Sequence, residues 1–137
     1  MSHVDTGYTL SSTTKLGFTE AVARVRAELA SEGFGVLCEI DVQATLKQKL
    51  DVDRDPYLIL GACNPTLAHA ALEAEPELGV LLPCNVVIYT TTHEGQTHIA
   101  AVNAEQMLSI VGNDALSETA SEVRRRLACV VERAASA

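Results

Sequence analysis

Aromatic residues are scarce: Phe, Trp and Tyr make up 4% of the 137 residues, and Trp is absent. Any core must therefore be built from Leu, Val, Ile and Ala. Basic residues are also few, 10 Lys and Arg against 18 Asp and Glu, for a formal net charge of −8. A general nucleic-acid binder needs a basic face to release counterions, so nucleic acid is not expected as a partner. An anionic membrane surface is disfavoured for the same reason. No apolar run reaches the roughly 18 residues of a spanning helix. Residues 1–5 carry neither a basic n-region nor an apolar h-region, so no secretory leader is read there. No Cys-x-x-Cys pair occurs, which removes both the thioredoxin-type redox motif and the strongest zinc signature. Together these absences point to a cytoplasmic protein whose Cys38, Cys63, Cys84 and Cys129 are normally reduced.

What is present suits one domain spanning residues 1–137, since 47% of the chain is hydrophobic. One stretch organises the rest. Leu60-Gly61-Ala62-Cys63-Asn64-Pro65 is answered by Leu82-Pro83-Cys84-Asn85. The apolar run Tyr57-Leu58-Ile59-Leu60 reads as a strand buried on both faces, ended by Gly61. Asn64 is a good N-cap, and Pro65 then stands at the first helical position, where its missing N–H costs nothing. A short alanine-rich helix over 66–74 follows and closes before Pro76. Cys63 thus precedes a helix N-terminus, whose partial positive charge favours a thiolate. Cys84 opens a second strand-like run, Val86-Val87-Ile88-Tyr89. The two thiols come side by side if those strands are neighbours.

Elsewhere, the pattern is helical or alternating in turn. Phe18, Val22, Val25 and Leu29 fall on one helical face, and Gly33 stops that helix. Phe34, Val36, Cys38 and Ile40 alternate with Gly35, Leu37, Glu39 and Asp41, giving a strand with Cys38 inward as a small hydrophobe. Asp41 caps a second helix carrying Val42, Leu46 and Leu50. Asp51, Asp53 and Asp55 begin like a calcium loop, but the sixth position is Pro56 and the twelfth Ala62, so an acidic turn is read instead. His69 lies beyond the first turn of its helix, and its plain reading is a surface or partly buried residue. Residues 77–83 read as a loop or short extended segment. Residues 85–92 and 96–102 read as a hairpin turned at His93-Glu94-Gly95, with His98 on the return strand. A short helical segment or connection over 103–110 follows. Leu116, Ala120, Val123, Leu127 and Val130 mark a last helix, on which Arg124, Arg125 and Arg126 form a solvated surface that complements the helix dipole. Cys129 is read as structural. The order is β, α, β, α, β, α, β, β, α, a single α+β domain.

Three strings carry a resemblance. They are Gly33-Phe34-Gly35-Val36 with Glu39-Ile40-Asp41, then Ile59 to Pro65, then Leu81-Leu82-Pro83-Cys84-Asn85-Val86. In these the chain resembles the family known as domain of unknown function 302, most strongly from Gly33 to Val102. The resemblance implies a two-layer α+β fold similar to the TATA-binding-protein-like class: helices on one face of a mainly antiparallel, curved sheet. It also implies self-association as a homodimer. It implies no activity and carries over no catalytic residue.

Three functions compete. In the first, the chain is a binding module with a ligand site framed by Cys63, Asn64, Cys84, Asn85 and His69. That site would take a small molecule or a soft metal such as zinc or copper(I), held by Cys63 and Cys84 with His69 or a second subunit completing the shell. In the second, Cys63 is a nucleophile or redox thiol, with Cys84 resolving a sulfenic acid or closing a disulfide. A phosphatase of the Cys-x5-Arg type is excluded, because His69 occupies the arginine position. In the third, both cysteines fill space, the two asparagines satisfy backbone groups, and function lies at a dimer or partner surface.

Overall fold

The computed structural model describes residues 6–136, so the leader reading of residues 1–5 lies outside it. Strand β1 (Thr9–Thr14) leads into helix α1 (Phe18–Ser31), strand β2 (Gly35–Asp41), helix α2 (Val42–Leu50), strand β3 (Tyr57–Cys63) and helix α3 (Pro65–Ala74). A 3-10 turn (Pro76–Leu81) precedes strands β4 (Cys84–Thr90) and β5 (Thr97–Val102), helix α4 (Ala104–Ser109), a second 3-10 turn (Asp114–Leu116) and helix α5 (Ser117–Ala135). The strands pair in the order β1-β5-β4-β3-β2, antiparallel throughout, and the helices pack on one face. The chain is thus α+β, as expected, with the short segment at 103–110 taking helical form as α4 and the segment before Pro83 tightened into a 3-10 turn.

Strand alternation fixes what faces the helices. Leu10, Ala101, Val86 and Leu60 lie in register across four strands, and Ser12, Ile99, Ile88 and Leu58 form the next row. All eight are buried. Against them α5 lays Val123, Leu127, Val130 and Val131, and α1 lays Ala21, Val25 and Leu29. Burying each such Leu or Val stabilises the fold by about 1.5–3 kcal/mol before chain entropy is counted. Ser12 is the polar member of these rows, and its Oγ donates to the Val131 carbonyl at 3.0 Å, which ties β1 to α5. A second, smaller core forms where α3, α4, α5 and the 3-10 turns meet, around Ala71, Leu78, Leu108, Leu116 and Ala120.

Cys38 corrects the sequence reading. It is exposed, and so is Ile40. Val36 pairs with Ala62, yet the next pair is Cys38 with Gly61, so Leu37 is an extra residue in the strand. A β-bulge of this kind shifts the alternation by one and sends every later side chain to the opposite face. Phe34, ahead of the bulge, is buried among the helices, whereas Cys38 and Ile40 share the face of their partners Gly61 and Ile59. That face carries no helix. Ile59, Val87, Ala100 and Ser11 form its central row.

Candidate functional site

The two cysteine strings meet, though only in part. β3 and β4 are neighbours, and Cys84 pairs with Ala62, one residue before Cys63. Cys63 and Cys84 line the same small cavity with Asn64, Leu67, Ala71 and Leu82, about 40 Å³ in volume. That is room for a few waters, far short of the roughly 300 Å³ at which small-molecule pockets begin. Cys63 is half-buried and Cys84 buried. Burial pushes the Cys84 thiol up to about 11 from an ordinary 9.0, with the nearby Cys63 sulfur adding to the shift. Desolvation disfavours the thiolate, so Cys84 keeps its proton near neutral pH.

The other three expected site residues take different places. Asn64 caps α3: its Oδ1 accepts from the Leu67 N–H at 3.2 Å, and Pro65 follows at the first helical position. It also wedges under the turn after α1, where Gly33 has φ +84 and a Cβ at Gly33 would come within 3.0 Å of Asn64 Nδ2. An Asn64→Ala variant is expected to lose about 1 kcal/mol of stability, the usual worth of such a cap, read as a lower urea midpoint with an unchanged slope. Asn85 lies on the far side of the sheet from Cys84, because consecutive strand residues point to opposite faces. His69 is exposed on α3 and does not line the cysteine cavity. Among the described residues, no three His, Cys, Asp or Glu side chains are grouped to hold a metal ion.

The larger concavity lies on the helix-free face. A cleft of about 660 Å³ runs over β1, β5 and β4, rimmed at one end by Leu81, Pro83 and Met107. Tyr57, Tyr89 and His98 stand in register on three adjacent strands and border it. Their rings stack: Tyr57 and Tyr89 have centroids 5.2 Å apart and planes 17° apart, and Tyr89 and His98 are 4.7 Å and 7° apart. The Arg54 guanidinium sits 5.0 Å from the Tyr57 ring centroid. Glu94 holds His98 Nε2 at 2.6 Å, and this bond is the main reason the Glu94 carboxyl lies below its usual range. Among the described residues, no Asp, Glu, Lys or Arg lines the cleft. Sequence reading missed this arrangement by treating Tyr57, Tyr89 and His98 separately. The alternation of β3 with the register of the β4–β5 hairpin would have put all three on one face.

The comparisons agree with this architecture. The family model described as "Domain of unknown function DUF302" matches residues 8–134. The crystal structure of an uncharacterized conserved protein DUF302 from Bacillus stearothermophilus is similar, with a TM-score of 0.85 and 30% identity. The match covers 93% of this chain and 98% of that one. No curated protein matches. The chain belongs to the DUF302 family, as its three strings implied.

Proposed function

We propose that this chain is a binding module that works as a homodimer, with its small-molecule seat on the helix-free face of the sheet. The observation that carries this reading is the cleft of about 660 Å³, which falls within the roughly 300–1,000 Å³ of ligand pockets. The cavity at Cys63 and Cys84 does not offer that room. The homodimer reading is supported by the opposite edge. There β2 leaves Leu37 67% and Ile40 49% exposed, and α2 buries no residue while leaving Leu50 66% exposed. Exposed apolar side chains gathered on β2 and α2 would be buried against a second copy.

Two measurements test the reading. Sedimentation should give twice the 14.6 kDa chain mass, and a Leu37→Glu variant should return the monomer. A thermal-shift screen of small metabolites should yield stabilising compounds whose effect disappears in Val87→Arg, which fills the cleft. Compounds that stabilise both proteins equally, or none at all, defeat the ligand seat.

Thiol chemistry is a second reading, favoured by the position of Cys63 on a cavity wall ahead of α3. Thiol titration of the folded protein separates it from the first: one thiol reacting fast, and lost in Cys63→Ser, supports it. A soft metal such as zinc would need at least two ligands beyond Cys63 and Cys84, and elemental analysis of anaerobically purified protein decides that point.

A further inference from the structure

We propose that the cleft takes a neutral, flat heteroaromatic molecule with a hydroxyl-bearing tail, its ring stacked on the outer face of His98. The inference rests on the helix-free face being the ligand seat, and it names the chemical class that face would accept.

Among the described residues, no further ring stacks beyond His98. Arg54 covers the outer face of Tyr57, then Tyr57, Tyr89 and His98 follow with nearly parallel rings. The next residue in register beyond His98 is Thr13 on β1, which carries no ring. A fourth ring continuing the row would therefore lie over β1, within the cleft. Ring faces left exposed to water are favourable surfaces for offset stacking.

Charge narrows the class further. The described residues lining the cleft carry no acidic or fixed basic group, and the chain as a whole is at −8. A phosphate or carboxylate entering over His98 and β1 would lose water with no Lys or Arg among the described lining residues to pair with. Polar but uncharged groups are available instead. The Ser11 hydroxyl donates to Thr9 Oγ1 at 3.0 Å, and both residues line the cleft with the Asn85 amide. Hydroxyls and amides of this kind donate and accept at once, which suits a neutral polyol or amide tail.

The test uses riboflavin, a neutral ring system with a hydroxylated tail, and riboflavin 5′-phosphate beside it. The full chain is titrated with each and followed by amide NMR. Saturable shifts are expected at Thr13, His98 and Ala100. Removing the stacking surface in His98→Ala should weaken riboflavin about tenfold, whereas His98→Phe, which keeps a ring, should retain it. The phosphorylated compound should bind more weakly. Absence of saturable shifts with riboflavin overturns the proposed class, as does equal weakening in His98→Phe or tighter binding of the phosphate form. If riboflavin fails while Val87→Arg still abolishes stabilisation by some other screened compound, the class is wrong and the seat stands. If no compound depends on Val87, both fall.

Discussion

Gly61→Ala is expected to lower stability by about 2–3 kcal/mol, toward the upper end of the cost of overpacking, measured by urea unfolding. Gly61 sits in β3 with strands on both sides, and it is the residue opposite the bulge in β2. A Cβ there would lie 2.6 Å from Cys38 Sγ and 2.8 Å from Pro83 Cγ. The sulfur can turn away, since Cys38 is exposed. The Pro83 ring cannot, because its conformation is tied to the backbone. A Cys38→Ala, Gly61→Ala double variant should therefore recover part of the loss and not all of it. Full recovery would show that the sulfur alone sets the limit. No loss in the single variant would show that β3 and Pro83 move apart freely.

The second large effect is a fall in stability at alkaline pH on the order of 2–3 kcal/mol, because burial raises the Cys84 thiol from 9.0 to about 11. The folded thiol titrates near 11 and the unfolded one near 9.0. Below the unfolded value both states hold the proton, so the pair is neutral in the balance. Between the two values the unfolded chain has released its proton while the folded one retains it, and unfolding gains with every step in pH. Stability should thus be whole below about 9, decline toward 11, and level out beyond. Cys84→Ala should flatten that part of the profile. An identical decline in the variant would assign it to other groups. The same physics predicts slow alkylation of Cys84 in the folded state at neutral pH.

Elements with strong local chemistry were legible in the sequence. Asn64 and Pro65 announce the start of α3, and Asp41 announces α2, because caps and proline act on neighbours a few residues away. The runs at Leu58 and Val86 became adjacent strands, so Cys63 and Cys84 did meet at one cavity. Cys38 went astray because a bulge is a property of two strands. Nothing within β2 states that Leu37 has no partner; that depends on how Val36 and Cys38 meet Ala62 and Gly61. The aromatic row was hidden for a related reason. Tyr57, Tyr89 and His98 come from three strands and become one surface only through register. His69, the one expected site residue chosen for its type alone, is exposed away from the cavity.

The pairing of β1 with β5 has a consequence for how the molecule is made. Thr9 finds Val102 and Ser12 finds Val131, so β1 has no strand partner until β5 has been synthesised, and no helix partner there until α5 has. The block from β2 to β5 can assemble from neighbours in sequence, apart from the helix α5 that must cover it. Vectorial synthesis therefore leaves β1 waiting, and with it the wall of the cleft that bears Thr9, Ser11 and Thr13. Long-range closures of this kind are slow steps in folding. The face proposed to bind a ligand is then completed only after strands β2 to β5 are in place.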